Sequence, residues 1–312
     1  MGDIAITVVD ELSDQESADI LELILECTAF DSAYPFSEHV LLNLRHGSDH
    51  SVQHVIARED GRLAGYAHLD NTDTVDGPSA ELAVHPDMRR HGVGSLLLSG
   101  LMVLSRPRAL RLWAHGEAAG AASLAHNFGF EKVRTLWQMR RSLFASVLEA
   151  PLPDGITLRN FHPTDDADAW LECNRRAFAH HPEQGRWTRR DLESRMKEPW
   201  FDAKGFIVAE DLNGRIVGFH WTKIHGVDER DAHLHEPVGE VYVVGVDPDW
   251  QGKQLGRALT AVGLRYLRHL GLRSAMLYVD SADERAVALY ESIGFAHWDT
   301  DTLFRDPLMP LD

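Results

Sequence analysis

Glu81-Leu-Ala-Val-His-Pro-Asp-Met-Arg-Arg-His-Gly-Val-Gly94 and Val243-Val-Gly-Val-Asp-Pro-Asp-Trp-Gln-Gly-Lys-Gln-Leu-Gly256 read as two versions of one device. Each is a β-strand, a Pro-punctuated turn, a polar Gly-containing loop and the start of an amphipathic helix. Their closing glycines stand 162 residues apart. A loop of this kind gathers free backbone N–H groups at the positive end of a helix dipole, which makes a seat for a pyrophosphate. Two seats in one chain point to a duplicated domain and a phosphate-bearing cosubstrate.

The duplication extends outward from the loops. Ser123-Leu-Ala-His-Asn-Phe-Gly-Phe130 follows the first and Ala288-Leu-Tyr-Glu-Ser-Ile-Gly-Phe295 the second. Upstream, the stretch from Val55 to Tyr66 matches that from Ile207 to Phe219, each a strand, a Gly-containing turn and a strand. Cys27 and Cys173 fall at matching places in the first helix of each copy, where small apolar filling is their expected role. Leu148-Glu-Ala-Pro-Leu-Pro-Asp-Gly155 separates the copies, so domains are expected over residues 1–149 and 150–312. Each should be an α/β (α+β) unit, with a mixed, mostly antiparallel central sheet flanked by helices.

The 312 residues suit two ordinary domains, and no apolar run reaches transmembrane length. A formal net charge of −17 argues against nucleic acid and acidic membranes as partners. Two cysteines suit a reducing, cytoplasmic setting. The 18 histidines are scattered, and His233 and His235 lie in a loop without further ligands, so no metal is expected.

The order strand, Arg/Gln-x-x-Gly-x-Gly/Ala, helix, strand, helix, Gly-Phe resembles the GNAT superfamily of N-acetyltransferases. Arg89-Arg-His-Gly92-Val-Gly94 fits that pattern fully; Gln251-Gly-Lys-Gln254-Leu-Gly256 departs from it at Gln254. His181-Pro-Glu-Gln-Gly185, Trp200-Phe-Asp202, Gly218-Phe-His-Trp-Thr-Lys223, the stretch from Gly239 to Pro248 and Leu277-Tyr-Val-Asp280 resemble the mycothiol synthase family of tandem GNAT proteins. Ala114-His-Gly116 and Gln138-Met-Arg-Arg141 extend that resemblance into the first half. It implies acetyl transfer from acetyl-CoA to the cysteinyl amine of Cys-GlcN-Ins, a small-molecule substrate, in the last step of mycothiol biosynthesis. It also implies a catalytic second domain, a first domain that binds acetyl-CoA without turning it over, and a monomer whose domains form a pseudo-dimer. A tandem acetyltransferase for another amine and a non-catalytic acyl-CoA sensor are the competing readings.

On this resemblance, acetyl-CoA falls to Leu82, Ala83, Val84, Arg89, Arg90, His91, Gly92, Val93 and Gly94 in the first copy. In the second it falls to Val244, Gly245, Val246, Gln251, Gly252, Lys253, Gln254, Leu255, Gly256 and Arg257, with Asp283, Arg285 and Ala286 further on. Asp283 stands where the family often has an Asn facing the pantetheine arm. Acetyl transfer needs a neutral amine and a proton for the departing thiolate. An α-ammonium titrates at about 7.7–8.0, so a carboxylate, directly or through water, suffices as base. Glu240 is that base by resemblance; a salt-bridged strand-edge carboxylate is the alternative. A phenol stays protonated at neutral pH, and Tyr290 is the expected acid, with aromatic packing as its alternative. Tyr278, Glu183, Lys223 and Glu38 are the remaining expected substrate contacts. Core packing competes for Tyr278, solvated loops for Glu183 and Lys223, and a helix N-terminal carboxylate for Glu38. Gapless alignment sets Ala125 opposite Tyr290 and Pro78 opposite Glu240, so neither proton carrier is expected in the first copy.

Overall fold

The computed structural model describes residues 4–47, 52–73, 76–116, 119–147, 149–179, 181, 184–226 and 236–307. The first copy runs β1 (Ile4–Val9), α1 (Asp14–Asp31), α2 (Glu38–His46), β2 (Val52–Glu59), β3 (Arg62–Asp70), β4 (Ser79–Val84), α3 (Val93–Ser105), β5 (Arg111–Ala114), α4 (Ala119–Asn127) and β6 (Glu131–Ser142). The second runs β7 (Thr157–Asn160), α5 (Ala167–Ala177), α6 (Arg189–Met196), β8 (Phe206–Glu210), β9 (Ile216–His225), β10 (Val238–Val246), α7 (Leu255–His269), β11 (Ser274–Asp280), α8 (Glu284–Ser292) and β12 (Ala296–Arg305). No described helix is long and apolar enough to cross a membrane.

Local chemistry starts the helices. Ser13 and Glu16 form a capping box ahead of α1, and Thr188 and Asp191 do the same ahead of α6. Helix α1 buries Ile20, Leu23, Ile24, Cys27 and Thr28, the spacing of one helical face. Helix α7 buries Leu255, Leu259, Leu264 and Leu267 almost completely. At about 1.5–3 kcal/mol each, these four anchor α7 along its length and fix its N-terminal end.

The compact units differ from the copies at one strand each. One unit comprises residues 1–136 and 299–312, the other residues 137–298. In the first unit the strand order is β1-β2-β3-β4-β5, closed by the 299–305 part of β12, whose residues Thr302–Arg305 pair antiparallel with β5. In the second unit the 137–142 part of β6 lies beside β11, followed by β10, β9, β8 and β7. The boundary expected near 149/150 is not that of the compact units, which divide β6 after residue 136 and β12 after residue 298.

Both units open their sheet between the corresponding pair of strands. Strands β4 and β5 pair in parallel only at Ser79–Arg111 and Ala80–Leu112, and β10 and β11 only at Gly239–Ala275 and Glu240–Met276. Beyond these rungs the strands part, and β10 continues to Val246 with its ladder to β9 intact. One edge of β10 is left with backbone groups available to a ligand that carries amides.

Candidate active site

The two loops have the same backbone. Arg90 (φ 68°) and Gly92 (φ 90°) correspond to Gly252 (φ 75°) and Gln254 (φ 66°). Glycine sits at one left-handed position in the first loop and at the other in the second. A side chain there costs about 1–2 kcal/mol, and each loop carries one such residue. Gln254, the departure from the family pattern, thus keeps the shape of the loop. The first helical bonds are equal too, Leu96 N–H to Gly92 O and Ala258 N–H to Gln254 O, both 3.1 Å. Among the described residues, no acceptor meets the N–H groups of residues 90–95 or 252–257. These are the donors an anion would collect.

Arg89 and Gln251 hold the loops in place. Each spends its N–H on the preceding turn, on Pro86 O and Pro248 O at 3.3 Å. Each also donates a side-chain bond to the last carbonyl of its strand, Arg89 Nε to Val84 O and Gln251 Nε2 to Val246 O, both 3.1 Å. The Arg89 guanidinium is further engaged by both oxygens of Asp31 at 2.7 Å. Lys253 lies 4.5 Å over the Trp250 ring. Leu82, Ala83 and Val84 end β4, and Val244, Gly245 and Val246 end β10, each run leading into its loop.

Glu240 stands on the last rung before the second opening. Its register partners are Met276 on β11 and Lys223 on β9, so all three side chains share one face. Ala275, Leu277 and Val279 pack toward α7 with Leu264 and Leu267. Met276 and Tyr278 therefore alternate to the opposite face, where Tyr278 is 42% exposed and accepts from Gln138 Nε2 at 2.8 Å. Buried Lys223 lies 4.9 Å over Trp200 and 5.3 Å over Tyr242. His225, two residues further along β9, reaches diagonally to Glu240, Nε2 to Oε2 at 2.6 Å.

Tyr290 comes from the other side. It is half-buried on α8, packs against the cluster beneath α7, and meets Phe295 at 6.0 Å between rings. Its hydroxyl has no partner among the described residues. Burial, and then the nearby Asp283 carboxylate, push its phenol up to about 12. It is a full proton donor throughout the neutral range. Asp283 caps α8, its Oδ1 accepting from Ala286 N–H at 3.0 Å, and Arg285 lies exposed in the first turn. Asp283 thus serves as the N-cap of α8, a role that Asn would fill equally well.

The first unit fills the corresponding face with a closed network. Glu81 accepts from Ser37 N–H and Oγ at 2.5 and 2.7 Å, and His115 bridges Glu81 at 3.2 Å and Asp301 at 3.0 Å. Burial opposes the charge on His115, but Glu81 and Asp301 outweigh it and raise the imidazolium to about 10. Glu38 follows Ser37 as the first residue of α2. Ala125 matches Tyr290 in detail: Phe130 N–H donates to Ala125 O and Phe295 N–H to Tyr290 O, both at 3.0 Å. The base position needs a correction of one residue. Ser79 pairs with Asp70 five residues past Gly65, and Glu240 with Lys223 five residues past Gly218. A bulge at Tyr242, between Val241 and Val243, inserts one residue into β10, so Ser79 and not Pro78 is the counterpart of Glu240. Neither could serve as a base.

Glu183, His233 and His235 lie outside the described residues. Among the described residues no group of three His, Cys, Asp or Glu side chains is arranged to hold a metal ion. Cys27 and Cys173 are buried, and burial pushes their thiols up to about 11 and about 12.

Residues 167–295 match the model of the acetyltransferase (GNAT) family, and residues 50–132 that of an acetyltransferase (GNAT) domain. A tandem GNAT protein from the clavulanic acid biosynthesis pathway superposes with a TM-score of 0.75 at 19% identity, over 99% of this chain and 100% of that one, and shows the shared fold. A mycothiol acetyltransferase of Acidothermus cellulolyticus is 51% identical over 294 residues, 91% of this chain and 89% of that protein. One of Salinispora arenicola is 51% identical over 297 residues, 94% of each. The chain belongs to the mycothiol acetyltransferase family.

Membership in the mycothiol acetyltransferase family makes the chain a tandem GNAT acyltransferase, and enzymes of the GNAT type use acetyl-CoA. Of the residues marked in the sequence, the structure brings Glu240, Lys223 and Tyr278 onto one face of one sheet. It sets Tyr290 on the α7 side. Sequence reading missed His225. Its signal was the alternation Trp221-x-Lys223-x-His225, which puts all three on the face that Glu240 shares.

Proposed function

We propose that the second domain transfers acetyl from acetyl-CoA to the cysteinyl amine of Cys-GlcN-Ins, completing mycothiol, with Glu240 as base and Tyr290 as acid. The observation that carries this assignment is the position of Glu240 on the last paired rung before β10 and β11 separate. The pyrophosphate rests on the N–H groups of residues 252–257, and the pantetheine arm lies along the free edge of β10. The thioester then ends in the opening beside Glu240. The amine approaches from the face carrying Glu240, Lys223 and Tyr278, where buried Lys223 donates to sugar or inositol oxygens. Glu240 relieves the amine of its proton, directly or through water. The C–N bond forms, the C–S bond breaks with its electron pair on sulfur, and Tyr290 protonates the thiolate from the α7 side.

The first domain holds acetyl-CoA at residues 90–95 without transferring it, since Ser79 and Ala125 replace both proton carriers. Glu38 and Glu183 remain substrate contacts on the strength of the family resemblance. The enzyme works as a monomer in the cytoplasm. The test is release of free CoA thiol from acetyl-CoA in the presence of a panel of amines. Cys-GlcN-Ins should outpace simple amines and peptide N-termini by orders of magnitude; equal rates across the panel would overturn the substrate assignment.

A further inference from the structure

The fate of the amine proton sets a requirement that Glu240 does not meet alone. Near pH 7 the acceptor amine is mostly an ammonium, since an α-amino group titrates at about 7.7–8.0. Its nitrogen loses two protons in one turnover, one before attack and one as the C–N bond forms. The thiolate takes up one proton, and the other leaves for solvent. A carboxylate holds a single proton, so Glu240 has to pass the first on before it can take the second. Yet the Glu240 side chain is only 8% exposed.

On the face it shares, among the described residues, His225 is the group hydrogen-bonded to it that reaches solvent. Lys223 is buried against Trp200 and Tyr242, and β11 offers Met276 at the facing register position. Arg195 on α6 is buried and donates to the Tyr242 hydroxyl at 2.6 Å. His225 differs from all of these. Its Nε2 is 2.6 Å from Glu240 Oε2, its side chain is 30% exposed, and its Nδ1 has no partner among the described residues. An imidazole can take a proton on one nitrogen and release another from the second.

We propose that His225 is the proton exit of the base: Nε2 receives the proton held by Glu240, and Nδ1 delivers one to water within each turnover. Nothing is oxidised or reduced in this step: the Glu240 O–H bond breaks as an N–H bond forms at Nε2, the Nδ1–H bond breaks as an O–H bond to water forms, and the ring regains its starting tautomer by proton exchange with solvent. His225 acts through Glu240 and does not itself touch the reacting atoms. The inference rests on the assignment of Glu240 as base.

The test compares His225→Ala, Glu240→Gln and the double variant, with acetyl-CoA binding by calorimetry as the check on folding. His225→Ala should lose roughly 10- to 100-fold in kcat, at or below the lower end of what a positioned acid–base group supplies. Both KM values should stay within about twofold. Added imidazole should restore most of the rate to His225→Ala and none to the double variant. His225→Gln, which keeps a donor toward Glu240 but cannot relay, should be as slow as His225→Ala. A wild-type kcat in His225→Ala, or a loss that imidazole leaves unchanged, overturns the relay while leaving Glu240 as base. A wild-type kcat in Glu240→Gln overturns the base assignment itself, and the relay with it.

Discussion

Each unit pairs a glutamate with a histidine on the equivalent face of its sheet, and the two pairs are built for opposite ends. In the first, Glu81 is buried and His115 half-buried; Ser37 donates twice to Glu81, and both imidazole nitrogens are engaged, one with Glu81 and one with Asp301. In the second, Glu240 and His225 hold each other at 2.6 Å, but the histidine ring reaches solvent and keeps one nitrogen free among the described residues. A saturated network rigidifies; an open one can move a proton. The first copy has Ser79 and Ala125 at the positions of Glu240 and Tyr290, and the hydrogen bonds of the glutamate–histidine pair it does carry are closed on themselves.

The largest effect expected from this contrast is at Glu240. Glu240→Gln should lower kcat by about 10²–10⁴-fold with acetyl-CoA affinity unchanged, whereas Glu81→Gln should leave kcat within about threefold and cost stability instead, since it opens a buried network. Steady-state kinetics and thermal melts on the two variants read both halves of the contrast. Tyr290→Phe should follow, at about 10²-fold in kcat. With the phenol held at about 12, the wild-type enzyme should show no loss of this acid up to pH 10.

The sealed pair should appear in the pH dependence of stability. His115 titrates at about 10 in the folded protein, against about 6.5 for a free imidazole. Its contribution is therefore complete below about pH 6.5 and is lost as pH rises toward 10. Melting temperature should fall over that window by about 3 °C or more, and His115→Gln should flatten the slope. A wild-type slope retained in His115→Gln would show that other groups carry it. The smallest effect belongs to the loops. Gln254→Gly relieves about 1 kcal/mol of left-handed strain and Gly92→Gln adds as much, so their melting shifts should be opposite in sign and similar in size.

How much of this was legible follows the range of the interactions involved. Strand, turn, loop and helix are local, and the repeat of Arg89 to Gly94 in Gln251 to Gly256 brought out both candidate anion seats at once. Even the Gln254 departure left the backbone unchanged, because Arg90 already shows that this loop tolerates a side chain at a left-handed position. The exchange of closing strands was hidden, since partner choice for β6 and β12 depends on contacts far along the chain. The bulge at Tyr242 was hidden as well. Nothing local marks it, yet it shifts the comparison with Glu240 from Pro78 to Ser79. His225 and His115 became meaningful only when strand register brought their carboxylates alongside.

The most direct measurement places one carboxylate at the same point of each anion seat and follows acetyl transfer. Arg90 and Gly252 correspond, both have positive φ, which aspartate tolerates, and a Cβ at Gly252 would meet nothing within 4 Å. Gly252→Asp should abolish CoA release with Cys-GlcN-Ins and remove one acetyl-CoA site by calorimetry. Arg90→Asp should remove the other site and leave kcat within about threefold of wild type. Substantial transfer by a folded Gly252→Asp protein, or an equal collapse in Arg90→Asp, would contradict the division of labour between the two copies.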